Sequence, residues 1–288
     1  MILPIELIER VVGYLRGDCD TLLSCALTHS SLYPYAKSLL YTVVCIRSGS
    51  AHDSLRRFRL TAGSERYFAR TERLALHEKH DTTLSPHTLS TFLLSFAGVE
   101  FPNLRCLELV GGESAVSSPW IHLSLTAFSR MSKTFATVKV LILTDVEFMT
   151  LRDFVRLVCT LPQLEELCLT GFLDVQKAST SIIITEKMGA RLSLRRLRLD
   201  FHTDHSEVWL MLCNWLVHTK AVRERILNGI VVDPHDWKKD TANWSKCSSG
   251  VTTLLEQLGS ALEDLSVVQI PSGTVIRSSP TLTALTSQ

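Results

Sequence analysis

The chain has 288 residues, 45% of them hydrophobic and 20% charged, and its 30 basic and 29 acidic side chains leave a formal charge of +1. That is enough apolar sequence for a sizeable core in one or two domains, with no global pull toward nucleic acid or an anionic membrane surface. The longest apolar run, Val208 to Cys213, ends at Asn214 after six residues, whereas a membrane span needs about 20.

The first predicted element begins almost at once. In MILPIELIERVVGYL, the residues Tyr14, Leu7, Val11, Leu15, Ile8, Val12 and Ile5 follow one another around about 180° of a helix. Glu6, Glu9, Arg10, Gly13 and Arg16 share the other side. Pro4 suits the first helical position, and Glu6 and Arg10 form an i,i+4 pair. Leu3 falls at the N-cap, where Ser, Thr, Asp or Asn would serve the helix better, so Leu3 is expected to make contacts and not to cap. The arc is wider than the roughly 100° stripe of an ordinary surface helix. Part of it is therefore expected to meet a second surface, either within the same domain or on a partner. The stretch does not read as a secretory leader, because it lacks a basic start and charges interrupt it.

Two more short helices are predicted. Asp20 is placed to cap one bearing Leu22, Leu23, Ala26 and Leu27. Ser30 or Ser31 is placed to cap another bearing Leu32, Tyr35, Ala36, Leu39 and Leu40. Three such helices in about 40 residues bury little surface alone and need a neighbour. Tyr41 to Ile46 then reads as a strand.

From there the motif L-x-x-L-x-L recurs. It stands at Leu104/Leu107/Leu109, Val138/Leu141/Leu143, Leu164/Leu167/Leu169 and Leu194/Leu197/Leu199. Weaker copies are Thr71/Leu74/Leu76, Leu227/Ile230/Val232 and Leu262/Leu265/Val267, and Leu282/Leu285 starts a last one. The first positions 71, 104, 138, 164, 194, 227 and 262 are separated by 26 to 35 residues, against roughly 20 to 29 in a standard leucine-rich repeat. The Asn or Cys usual eight positions after the first leucine is replaced by Lys79, Gly112, Val146, Phe172, His202, His235 and Ile270. Turns must therefore be satisfied in another way.

The gaps between copies predict helices. One follows Ser85-Pro86 with Leu89, Phe92, Leu93 and Phe96, and one follows a Thr150/Asp153 capping box with Phe154, Leu157, Val158 and Leu161. Others carry Trp209, Leu212, Cys213 and Leu216 after Ser206, and Val251, Leu254, Leu255 and Leu258. Strand and helix alternating at this period predict an α/β fold, with parallel strands on one face and helices on the other, curved as a leucine-rich-repeat-like solenoid. The alternative is a compact, non-repeating α/β domain.

Residues with chemical potential are few. The eight cysteines have no C-x-x-C spacing and read as reduced thiols of a cytosolic or nuclear protein, with Cys159 and Cys168 in the core. Asn243-Trp244-Ser245 is a sequon of the kind that arises by chance. His77/His80 and His202/His205 are pairs without a metal-binding motif, and no phosphate loop, dinucleotide fingerprint or nucleophile elbow occurs. No cofactor or catalytic residue is implied. Arg195, Arg196 and Arg198, around a predicted strand, could accept an acidic or phosphorylated segment or could be a solvated strand edge. Trp237 and Trp244, in the polar stretch VDPHDWKKDTANWSKCSS, could anchor a target or pin a long loop to the core.

The opening Leu3-Pro4, Glu6-Leu7-Ile8, Val11, Val12 and Leu15, the Leu22-Leu23 helix, Leu27, the Ser-Leu-Tyr turn and Leu39-Leu40-Tyr41 together resemble an F-box. An F-box followed by degenerate leucine-rich repeats is similar to F-box proteins abundant in fungi and other eukaryotes. That resemblance implies two domains, residues 1–46 and 47–288. It implies that the first docks on the Skp-type adaptor of a cullin-based ubiquitin ligase and that the second holds a protein substrate. The adaptor-facing set would come from Leu3, Pro4, Leu7, Ile8, Val11, Leu22 and Leu23. Two rivals stay open: a plain repeat scaffold whose N-terminal helices only cap the solenoid, and a hydrolase with an unrecognised site.

Overall fold

The computed structural model describes residues 4–78, 88–96, 99–111, 125–148, 150–175, 189, 191–202, 206–235 and 241–267. It opens with three short helices: α1 (Ile5–Gly13), α2 (Cys19–Thr28) and α3 (Tyr33–Leu40). Pro4, with extended backbone, stands at the N-cap of α1, one residue later than expected, and Leu3 lies outside the described residues. Asp18, not Asp20, caps α2. Its carboxylate accepts the backbone N–H of Thr21 at 3.0 Å and the Thr21 hydroxyl at 2.7 Å. Asp18 is three residues from Thr21 and reaches the orphan donor, while Asp20 already sits inside the first turn. Those Thr21 bonds hold the Asp18 carboxyl below its ordinary pKa. Neither Ser30 nor Ser31 caps α3; Ser31 instead meets His29 Nδ1 through its hydroxyl at 2.7 Å and its backbone N–H at 3.1 Å.

Val12, Leu22 and Ala36, one from each helix, form a small core of their own, flanked by Ile8, Leu15, Leu32, Tyr35 and Leu39. It is separate from the main core that follows.

That main core lies under one sheet. Its strands among the described residues are β1 (Val43–Ile46), β2 (Arg73–His77), β3 (Cys106–Val110), β4 (Val140–Phe148), β5 (Glu166–Val175), β6 (Arg196–His202), β7 (Gly229–His235) and β8 (Asp264–Val267). All are parallel, and their order across the sheet is their order in the chain. The motif leucines stand in register. Leu74, Leu107, Leu141, Leu167, Leu197, Ile230 and Leu265 form one row across the sheet, and Leu76, Leu109, Leu143, Leu169, Leu199, Val232 and Val267 the next. The first motif position is buried as well, at Thr71, Leu104, Val138, Leu164, Leu194 and Leu227. β1 extends both rows, pairing Val44 with Leu74 and Ile46 with Leu76. Tyr41/Val44/Ile46 is thus a further copy. Its strand, the last part of the expected 1–46 unit, belongs to the sheet.

The rest of the core comes from helices between the strands: α4 (Gly49–Arg59), α5 (Glu65–Phe68), α6 (Thr88–Ser95), α7 (Leu125–Thr134), α8 (Leu151–Thr160), α9 (Ser206–Val217), α10 (Lys220–Arg223) and α11 (Thr241–Leu258). Phe92, Phe96, Met131, Phe135, Phe154, Leu157, Trp209, Leu212, Leu254 and Leu258 pack with the strand leucines in one cluster. The expected cap of α8 is present: Asp153 N–H donates to Thr150 Oγ1 at 3.2 Å, and the Thr150 hydroxyl returns a bond to the Asp153 carboxylate at 2.8 Å. α4, which periodicity did not reveal, starts at Ser48, whose hydroxyl accepts Ala51 N–H at 3.2 Å.

Strand entries are stitched by backbone. The carbonyls of Thr42, Glu72, Arg105, Lys139, Glu165, Arg195 and Asn228 each accept two successive N–H groups of the next strand's entry, at 2.7 to 3.1 Å. This ladder of shared carbonyls satisfies the turns where leucines begin. On the strands, burial alternates: in β3, Leu107 and Leu109 are buried while Cys106, Glu108 and Val110 are half-exposed. Among the described residues the helices pack on the face that carries the leucine rows. Among the described residues no helix is long and apolar enough to cross a membrane.

One buried group makes stability pH-dependent. His52 of α4 is 4% exposed, with its ring edge-on to Phe92 and Phe96 and its Nδ1 3.6 Å from Asp53. Burial pushes its pKa down, Arg56 adds to this, and Asp53 opposes it. The unfolded chain therefore takes up this proton first, at about pH 6.5. The stabilising contribution is present above that pH and is lost as pH falls below it. The melting temperature is expected to drop between about pH 7.5 and about pH 5.5, and His52→Phe is expected to shrink the drop. An identical drop in the variant would show that His52 is not held neutral.

Candidate docking surface on the N-terminal helices

The wide apolar arc of α1 divides in two. Ile8, Val12 and Leu15 turn inward onto the small helical core. Leu7, Val11 and Tyr14, at i, i+4 and i+7, turn outward and are 47%, 61% and 80% exposed. α2 divides likewise: Leu22 is buried, whereas Leu23 and Leu27, at i and i+4, are 52% and 80% exposed. Ile5 and Tyr33 add two more exposed apolar side chains.

Of the expected adaptor-facing set, Pro4, Leu7, Val11 and Leu23 are exposed, and Ile8 is half-buried against the helical core. Leu22 is a correction. It fills the space between the three helices and is closed to any partner. Tyr14, Leu27 and Tyr33 are surface apolar residues outside the expected adaptor-facing set. The helical wheel did place Tyr14 beside Leu7 and Val11, which was the available signal.

The unit is fixed to the sheet beside it. Arg16, just after α1, pairs with Glu72 at 2.6 Å. Both partners are substantially exposed, so the pair contributes about 0–1 kcal/mol. Lys37 Nζ lies over the rings of Tyr33 and Tyr67, at 5.2 and 5.5 Å from their centroids. Tyr41 packs on Tyr67 with centroids 4.4 Å apart, and Phe58 joins them. An aromatic stack thus bridges α3, α4 and α5.

The expected target-binding residues do not converge. Arg195, Arg196 and Arg198 are all exposed. Arg196 and Arg198 alternate with the buried Leu197 and Leu199 and face away from the helices. Arg196 stands opposite Glu166 of β5 in register, and Gly229 on its other side is paired with Asp264. Acids thus flank the basic spot, as on a solvated strand face. Trp237 lies outside the described residues. Trp244 is on α11, not in a loop, and α11 belongs to the helix layer through Cys247, Val251 and Leu254.

Cys159 is half-buried and packs against the main core, Cys213 and Cys247 are fully buried in it, and Cys168, expected in the core, is only half-buried. Cys168 alternates with Leu167 and Leu169 and so points to the open face, where its Sγ lies 3.6 Å from Glu166 Oε1. Burial alone pushes Cys159 up to about 12, and burial with Glu166 does the same for Cys168. Burial also pushes Cys213 up to about 12. At neutral pH none is a thiolate nucleophile. Brief maleimide treatment of the folded chain is expected to label exposed Cys19 and to leave Cys213 unmodified. Mass spectrometry showing Cys213 labelled first would contradict its burial.

His80 and His205, the partners in the two histidine pairs, lie outside the described residues. Among the described residues no group of three or more His, Cys, Asp or Glu is placed to hold a metal. A groove of about 1160 Å³ lies between residues 16–20, at the start of α2, and the first strands. Compared with models of known protein families and with curated proteins, the chain finds no match.

Proposed function

We propose that the chain is a substrate-recruiting adaptor of a cullin-based ubiquitin ligase. In this reading α1 and α2 dock on a Skp-type adaptor, and the sheet and its helices form a curved leucine-rich-repeat-like solenoid that holds a protein target. The chain performs no chemistry itself. It raises the effective concentration of the target beside a ubiquitin-carrying enzyme supplied by other subunits. Such an assembly works in the cytoplasm or nucleus, where the free cysteines stay reduced.

One observation carries the proposal. Of the eight large hydrophobic side chains that stand exposed among the described residues, seven lie between Ile5 and Tyr33, and only Leu60 lies elsewhere. A unit that merely caps a solenoid presents a polar outer face. An apolar outer face on so small a unit suits burial against a partner, which favours docking over plain capping. The sequential parallel sheet, with its leucine rows packed on helices, supports the solenoid part of the reading.

The experiment is co-expression of the tagged chain with a Skp-type adaptor and a cullin N-terminal fragment. Stoichiometric co-purification is expected. A folded chain that never retains the adaptor would defeat the ligase reading and leave the scaffold.

A further inference from the structure

We propose that the free edge of β1 is a strand-addition site for an extended segment of a partner protein that carries apolar side chains at alternate positions. This does not rest on the adaptor reading, since it uses the sheet and not the outer face of α1 and α2.

β1 is the first strand of the sheet, paired with β2 on one side only among the described residues. The carbonyl of Thr42 points toward β2, where it accepts the N–H groups of Glu72 and Arg73 at 2.9 and 3.0 Å. Backbone groups alternate in direction along a strand. The N–H and C=O of Val43 and Cys45 therefore point the other way, to the open edge. Such a row of backbone donors and acceptors is a template for another chain. Proteins usually blunt an edge with lysine, proline or a bulge. The sequence Val43-Val44-Cys45-Ile46 has no lysine or proline, and its register with β2 is unbroken.

The edge lines the 1160 Å³ groove together with residues 16–20 at the start of α2. The lining describes the occupant. Three arginines, Arg16, Arg47 and Arg73, are matched by Asp18, Asp20 and Glu108. Most of these charges already have partners: Arg16 with Glu72, Arg73 with Glu108 at 2.7 Å, and Asp18 with Thr21. Arg47 Nε donates to Cys45 Sγ at 3.3 Å. With three basic and three acidic side chains, these charges favour neither sign of ligand, whereas the strand edge offers backbone groups. On the inner side the groove is floored by Val44, Ala51, Leu55 and Phe58, all half-buried. On the outer side it is edged by Arg47 and Arg73. An added strand would turn alternate side chains onto Leu55 and Phe58 and the others toward the arginines. Apolar–polar alternation is thus the specificity element.

The test uses the full chain and a blocked synthetic peptide of residues 71–79, Thr-Glu-Arg-Leu-Ala-Leu-His-Glu-Lys. This peptide has the alternation that β1 accepts from β2. Hydrogen exchange by mass spectrometry, resolved to single residues, reads the amides of Val43 and Cys45, which face away from β2. Saturating peptide is expected to slow their exchange about tenfold or more, and the same peptide N-methylated at alternate backbone nitrogens is expected to have no effect. No slowing at millimolar peptide, or equal slowing by the methylated peptide, overturns the proposal. So does protection that exists without peptide. If it is independent of protein concentration, the edge is covered by this chain itself; if it grows with concentration, the occupant is a second copy.

Discussion

The double substitution Leu7→Asp/Val11→Lys is expected to abolish co-purification with a Skp-type adaptor and to leave the melting temperature unchanged. Both side chains are exposed and contribute little to folding, so surface replacement should stay within about 0.5 kcal/mol. Helix electrostatics favour these choices, since position 7 lies in the first turn and position 11 near the last turn of α1, where acidic and basic charges respectively suit the dipole. In a docked complex the balance reverses. Each buried apolar side chain of this size is worth about 1.5–3 kcal/mol, so losing two removes about 3–6 kcal/mol before any charge is desolvated. At about 1.4 kcal/mol per tenfold, affinity should fall by about 100-fold or more. Ile8→Asp is the contrasting variant. Ile8 packs on the small core of Val12, Leu22 and Ala36, so this change should lower stability as well as binding. Undiminished binding by the double variant would place the docking face elsewhere, and a lowered melting point would mean that Leu7 or Val11 is not on the surface.

The contrast between Leu7 and Ile8 also marks what sequence could and could not tell. Both belong to the same apolar arc, and nothing in α1 alone says which half faces inward. That choice is made by α2 and α3, which bring Leu22 and Ala36 against Ile8 and Val12. Leu22 and Leu23 pose the same ambiguity, since adjacent helical positions are about 100° apart and both carry leucine. The strand leucines were legible because alternate burial at a recurring spacing has few other causes, and the register agrees with the motif copy by copy. The Tyr41/Val44/Ile46 copy contains no leucine, so the motif alone presents it as a lone strand. α4 escaped because Ala51, Leu55 and Phe58 are few and lie among arginines, which leaves Ser48 as the main start signal. Side-chain periodicity says nothing of a free strand edge. The groove along β1 is visible only once the strand order is known.

Gly111→Ala is expected to cause the largest loss of stability of any single methyl added to this sheet. Gly111 directly follows β3, and its N–H donates to the Thr144 carbonyl at 2.7 Å. There β4 is irregular: its register with β5 shifts between Thr144 and Val146, and Asp145 has φ of 50°. Asp is among the side chains that tolerate this left-handed conformation. The turn aims the Asp145 carbonyl at the place where Gly111 lacks a side chain. A Cβ there would overlap the Asp145 oxygen and lie 2.7 Å from its carbonyl carbon and 3.3 Å from Val146 Cα. These are backbone atoms of a strand anchored on its other side by Thr144 to Thr170 and Val146 to Leu173, so no rotamer change relieves the overlap. Overpacking costs about 1–3 kcal/mol where side chains can move and more where they cannot. A loss of about 3 kcal/mol or more, read as a fall of about 6 °C or more in melting temperature, is the expected result. Gly13→Ala is the control, because nothing lies within 4 Å of its added Cβ and it sits in α1. It should hold or raise stability by about 0.5–1 kcal/mol through helix propensity. Equal melting temperatures for the two variants would mean that β3 and the bulge of β4 do not approach as closely as Gly111 permits. The sheet would then have to be continuous there without the irregularity that a glycine at position 111 makes possible.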